Sequence, residues 1–256
     1  MTPKTLIIRT AGTNCDRELA KAFELAGASC TTVHLNELLA EPARLEAFDL
    51  IGLPGGFSYG DDIAAGRIFA NRLKHGLYEP LRACVERGVP MIGPCNGFQV
   101  MVKLGLLPTP AAEPKQTVTL SHNDSGRFID RWTPVRVEAD TKCVWTRGLK
   151  DHELPMAHAE GRFVAPDSVL DALEANGQVT LRYRDNPNGS ARDIAGVCDP
   201  SGLVFGLMPH PERHLHFTNH PTWTRMSAEE RAATPTGLRY FENAVAYVRE
   251  RAGVGV

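Results

Sequence analysis

No two cysteines in this sequence are spaced as CxxC, and no apolar run reaches the roughly 18 residues a membrane span requires. The six cysteines stand at 15, 30, 84, 95, 143 and 198, too scattered for a disulfide framework or a zinc cluster. Reduced thiols are therefore expected, and a special cysteine must be recognised by its neighbours. The opening MTPKTLIIRTAG lacks the extended apolar core of a secretion signal. With no span and no such signal, a cytoplasmic protein is expected. Positive charge is not in excess either: 28 Lys and Arg against 30 Asp and Glu leave a net charge of −2. That balance argues against a nucleic-acid partner, whose binding depends on neutralising phosphates. Nor is there a GxGxxG after the first apolar run or a GxxxxGK[ST] anywhere, so the usual nucleotide-phosphate loops are missing.

What is present is an alternation of short apolar runs and helical patterns. Residues 5–9 (TLIIR), 30–35 (CTTVHL), 49–53 (DLIGL) and 89–93 (VPMIG) read as strands. Asn14 is placed to cap a helix running to about Leu25, which Gly27 ends. Residues 62–75, 78–87 and 96–104 carry helical periodicity. Apolar strands alternating with helices predict an α/β fold, an open and mostly parallel sheet with helices on both faces. Residues 108–152 break the rhythm, with strand-like TVTLSHN and PVRVE suggesting an antiparallel excursion on one edge. A helix at 168–176 follows, then strands at 178–183, 194–198 and 203–207, and an amphipathic helix over 238–251 closes the pattern. A single domain over 3–251 accounts for all of it, with no repeat or linker.

The chemistry-bearing residues sit at the ends of these strands. GPCNGFQ (93–99) centres Cys95 in a GxCxG pattern between a strand and a helix. Such an elbow lifts a nucleophile above the sheet, and unpaired N–H groups at the helix start favour a thiolate. The Asn96 N–H, just after it, is positioned to donate to an oxyanion. The motif alone leaves a structural, buried cysteine open, since free cysteine commonly packs as a small buried hydrophobe. Met208–Glu212 (MPHPE) follows another strand, so His210 reaches the same edge and Glu212, two residues on, can orient its ring. PGGFSYGD (54–61) is a glycine turn whose main chain could approach a ligand, or merely a tight connection. His158 could face a cleft or lie satisfied in the core. His214, His216 and His220 form a loose cluster read as solvated loop residues, and no metal is expected.

Taken in order, NCDRE (14–18), LPGGFSYGD, GPCNGFQ, AHxEGRF (157–163), DNPNGS (185–190) and GLMPHPER resemble the class I, triad-type glutamine amidotransferases. The resemblance is closest to the glutaminase subunits of phosphoribosylformylglycinamidine synthases, and FENAV (241–245) extends it almost to the end. It implies a flavodoxin-like fold in which Cys95 attacks the side-chain amide of glutamine, releasing ammonia through a γ-glutamyl thioester. His210 would carry protons and Glu212 would orient it. Gly56 and Asn96 would donate main-chain oxyanion contacts, Gln99 would touch the substrate, and His158 would help line the pocket. No cofactor is implied in this chain: ATP and Mg²⁺ would belong to a partner synthetase subunit that uses the ammonia in purine biosynthesis, often with a small third subunit. Departures from the family pattern are RTAG at 9–12, Ala159 in place of a glycine, and Pro94 in place of an aliphatic residue. The alternatives are a glutaminase feeding another synthetase and a non-catalytic thiol or scaffold protein of the same fold.

Overall fold

In β1 (Lys4–Arg9) three consecutive side chains, Leu6, Ile7 and Ile8, are fully buried, which happens only when a strand is covered on both faces. Leu6 and Ile8 enter one apolar cluster and Ile7 the other, so the strand marks the plane between two helical layers. This computed structural model describes residues 1–253. In chain order β1 is followed by α1 (Asp16–Leu25), β2 (Ser29–His34), α2 (Leu35–Ala40), β3 (Leu50–Gly52), α3 (Arg67–Gly76), α4 (Tyr78–Glu86), β4 (Met91–Pro94) and α5 (Asn96–Leu104). The second half supplies β5 (Thr119–Ser121), β6 (Ile129–Val137), β7 (His152–His158), β8 (Arg162–Val164), α6 (Asp167–Ala175), β9 (Val179–Tyr183), β10 (Ile194–Cys198) and β11 (Val204–Leu207). Two helices finish the described chain, α7 (Ala228–Ala232) and α8 (Thr236–Arg251).

Nine strands form one sheet in the order β2-β1-β3-β4-β11-β10-β9-β6-β7. The half from β2 to β11 is parallel, and the half from β11 to β7 is antiparallel. Strands β5 and β8 pair separately as a two-stranded ribbon. The expected α/β architecture is therefore present. Side chains of α3, α4 and α5 pack on one face, and α1 and α8 on the other, where Phe23 meets Phe241 edge to face at 5.0 Å.

The antiparallel excursion expected near 108–152 is present at one edge of the sheet, where β6 bonds to β9 and β7 to β6. β7 (HELPMAH), where no strand is expected, buries the alternate positions Leu154, Met156 and His158. Two local expectations need correction. The third helix begins at Arg67, five residues after its expected start, because Gly66 turns left-handed with φ +70°. Asn14 does not cap α1. Cys15 holds that position without a side-chain cap, and the Asn14 amide oxygen instead accepts the Cys15 thiol at 3.2 Å.

The parallel half decides where the site lies. β1, β3, β4 and β11 all point the same way, so the segments after Arg9, Gly52, Pro94 and Leu207 gather at one carboxyl edge. Open α/β sheets bind ligands there.

Candidate active site

Cys95 has φ +49° and ψ −107°, a left-handed conformation that a residue with a Cβ adopts only when its surroundings impose it. The flanking glycines do so. A Cβ on Gly97 would lie 2.0 Å from the Leu53 carbonyl oxygen, and one on Gly93 would lie 2.7 Å from the Gly97 carbonyl carbon. Strand β4, helix α5 and the end of β3 therefore approach to backbone contact, and Cys95 is left at the apex. Its N–H donates to Leu207 O at 2.7 Å, locking the elbow to β11, and its thiol is directed to Ala157 O at 3.7 Å.

β11 delivers His210 and Glu212 to the same edge. The His210 N–H donates to Pro155 O at 2.8 Å, and its Nδ1 lies 2.6 Å from Glu212 Oε1. Both side chains are buried. Burial disfavours the charged ring, but the Glu212 carboxylate, then the Cys95 sulfur, outweigh it and hold the His210 pKa well above its ordinary value. The result is a ring whose charged form is braced by the Glu212 carboxylate and set against the Cys95 sulfur.

The glycine turn closes the other side. Gly56 has φ +132°, and a Cβ there would lie 2.7 Å from the Asn14 N, so only glycine fits. Asn96, at the start of α5, has an N–H the helix itself cannot satisfy. Its side chain is tied down: Ser58 Oγ donates to Asn96 Oδ1 at 2.7 Å, and Asn96 Nδ2 donates to Gln99 Oε1 at 3.0 Å. Gln99 Nε2 in turn donates to the Glu160 carbonyl. Gln99 thus lines the cavity with both ends of its amide already engaged, bracing α5 against the 158–163 segment.

His158 ends β7 and faces the same cavity. Its Nδ1 lies 3.0 Å from Asn123 Oδ1, and its buried Nε2 has no partner among the described residues. Burial, with the charge of His210, pushes its pKa down to about 4, so the ring is neutral. Of the His214, His216 and His220 cluster, His216 is exposed as expected, but the other two are not solvated loop residues. His214 is buried, and its ring and that of His220 both stand edge-on to Trp132, at 5.0 and 4.5 Å between ring centres.

The enclosed space is about 200 Å³, with Cys95, His210, Gly56, Gln99 and His158 in its wall together with Asn14, Asp61, Phe128, Asp130, Glu160 and Arg213. A larger cavity of about 650 Å³ lies beyond Glu160, lined by Arg67, Lys74, Lys103 and His122 but by no thiol, so the chemistry belongs to the smaller one. Sequence reasoning passed over one neighbour of His210. Cys15, in the loop after β1, is buried against the ring, and Arg213 Nη2 donates to its sulfur at 3.0 Å. The available signal was position alone, since NCDRE follows a parallel strand and must reach the same edge.

Residues 2–248 match the CobB/CobQ-like glutamine amidotransferase domain family. A "phosphoribosylformylglycinamidine synthase subunit PurQ" of Dehalococcoides mccartyi is 45% identical over 254 residues, covering 96% of this chain and 98% of the relative. The protein of the same name from Methanococcus maripaludis is 38% identical over 267 residues, with 96% and 99% covered. Among solved structures, a chain of "PurLQS from Thermotoga maritima" superposes with a TM-score of 0.74 at 32% identity, covering 96% of this chain and 99% of that one.

Proposed function

The chain belongs to the CobB/CobQ-like glutamine amidotransferase family, and from that membership we propose that it is the PurQ-type glutaminase subunit of a phosphoribosylformylglycinamidine synthase. The observation that carries the chemistry is the strained Cys95 elbow set against the buried His210–Glu212 pair in an amino-acid-sized cavity. Cys95, its thiol proton passed to His210, attacks the side-chain carbonyl carbon of glutamine as the thiolate. The developing oxyanion is met by the main-chain N–H groups of Gly56 and Asn96, a donor of this kind being worth on the order of 3 kcal/mol in the transition state. The His210 imidazolium gives its proton to the leaving nitrogen, ammonia departs, and a γ-glutamyl thioester remains. The now neutral His210 draws a proton from water, whose oxygen attacks the thioester, and glutamate leaves with Cys95 restored. Glu212 keeps Nδ1 protonated throughout, so that the far nitrogen is the one that exchanges protons.

Within the cavity, Arg213 is suited to the α-carboxylate of glutamine, and Asp61, Asp130 or Glu160 to its α-ammonium group. His158, neutral and aimed inward, can donate or accept but not repel a cation. The resemblance to PurQ proteins and to a chain of the PurLQS assembly supports a synthetase partner, with a small third subunit, to which the ammonia passes. ATP and Mg²⁺ are assigned to that partner, and this chain needs no cofactor of its own. No helix among the described residues is long and apolar enough to cross a membrane, and we place the protein in the cytoplasm, with its substrates.

Cys95→Ala tests the assignment. In the assembled synthase it should abolish glutamine-dependent formation of formylglycinamidine ribonucleotide while leaving the ammonia-dependent reaction intact. Wild-type use of glutamine by that variant would sink the assignment.

A further inference from the structure

We propose that Cys15 is a positioning residue for the proton carrier, a second thiol that supports the His210 ring beside Glu212. The support is geometric. Cys15 Sγ, a ring nitrogen of His210 and a carboxylate oxygen of Glu212 all lie within 4.8 Å of one another, and all three residues are buried. The thiol hydrogen is directed to Asn14 Oδ1 at 3.2 Å, while Arg213 Nη2 donates to the sulfur at 3.0 Å. With its hydrogen committed to Asn14, the sulfur presents only lone pairs to the nearby ring, and so it favours the charged imidazole over the neutral one. Arg213 is itself anchored, its Nε donating to Glu18 Oε1 at 2.9 Å.

The same residue joins the three loops that make the site. The Cys15 N–H donates to Gly55 O at 3.3 Å, and a Cβ on Gly55 would lie 2.9 Å from His210 Cε1 and 3.2 Å from Cys15 Sγ. The glycine turn, the loop after β1 and the loop after β11 thus meet on one imidazole edge with no spare volume.

Two other readings of this thiol fit less well. As a nucleophile it is poorly placed: it is off the elbow, and burial, together with the nearby Glu212 charge, pushes its pKa up. As part of a metal centre with His210 and Glu212 it would put a cation against the Arg213 guanidinium, which already occupies the sulfur at 3.0 Å.

This inference rests on His210 being the proton carrier, so its test has one arm that does not depend on catalysis. The charged and titratable groups facing His210 are Glu212, Cys95, Cys15, His158 and Arg213, and Cys15 is varied while the other four are kept. In Cys15→Ala, the His210 ring followed by NMR should titrate at lower pH. In the assembled synthase, the alkaline limb of glutaminase kcat should move down by roughly half to one pH unit. We expect kcat to fall about tenfold with KM within about twofold. Cys15→Ser can donate to Asn14 and accept from the ring, and it should restore the wild-type limb. Should Cys15→Ala not fold, as judged by its thermal transition, Cys15→Val provides the same loss of acceptor with the volume kept. A His210 titration unchanged in the apolar variant, or a serine variant shifted as far as it, overturns the proposal. A wild-type chain that titrates as expected but hydrolyses no glutamine beside its synthetase would instead overturn the glutaminase reading.

Discussion

Glu212 meets His210 Nδ1 with one oxygen at 2.6 Å, while its other oxygen is buried without a partner among the described residues. A carboxylate so placed has the ring N–H as its main source of compensation, which ties its burial to the charge on His210. Glu212→Gln keeps the shape and removes the charge. The His210 pKa should then fall, because burial is no longer outweighed, and the alkaline limb of kcat should move to lower pH with kcat reduced by ~10²–10⁴. A pH–rate profile of the assembled enzyme checks both parts. Gly56→Ala is a cleaner probe of the oxyanion turn. Its Cβ, 2.7 Å from the Asn14 N, displaces the donor rather than deleting it, and kcat should drop by ~10²–10³ with KM little changed. Steady-state glutaminase kinetics separate the two.

The elbow works as one element because β4 and α5 are joined with no room for side chains at Gly93 and Gly97. Gly97→Ala would put a methyl group 2.0 Å from the Leu53 carbonyl oxygen, forcing α5 away from β3. Overpacking of this kind costs about 1–3 kcal/mol. Urea denaturation should show that loss, and glutaminase activity should fall with it, because Asn96 and Gln99 ride on the displaced helix. The first turn of α5 is also the strut between site and segment: Asn96 is pinned to Ser58, and Gln99, three residues on, to the Glu160 carbonyl. That explains how a glutamine inside the nucleophile motif comes to hold the protein's own backbone.

Across the whole molecule, three buried histidines pull stability in opposite directions with pH. His158 and His214 are held down to about 4, chiefly by burial. Below the ordinary histidine value of roughly 6.5 the unfolded chain binds protons that these folded rings refuse. Stability should therefore fall as pH drops from about 6.5 to about 4. His210 has the opposite sign: its raised pKa stabilises the fold below roughly 6.5 and loses that contribution as pH rises through the folded value. Urea midpoints at pH 7 and pH 5 should show the acid loss, and His214→Gln should lessen the difference between them. No lessening would mean that the ring is already charged in the folded protein.

Much of this was legible in the sequence, for physical reasons that can be named. TLIIR, VPMIG and IAGVC are buried on both faces, so their apolar runs announce a covered sheet without needing a partner's position. Gly93, Gly97 and Gly56 mark places where backbone meets backbone, and only glycine permits that contact. Helix α5 and β10 fall at the residues the pattern assigns. What periodicity could not express was contact across distance. HELPMAH became a strand because β6 offered it an edge, and β6 joined the main sheet only because β9 lay beside it. His214, by pattern a loop residue, is buried against Trp132. Gln99 chose the Glu160 carbonyl, and Cys15 came to rest on His210, through pairings 61 and 195 residues apart in the chain. By itself the sequence determined the layers, the elbow and the identity of its thiol, because those follow from local sterics and burial. The support around His210 was decided by the tertiary structure, since hydrogen-bond partners are chosen only once the strands have brought their ends together.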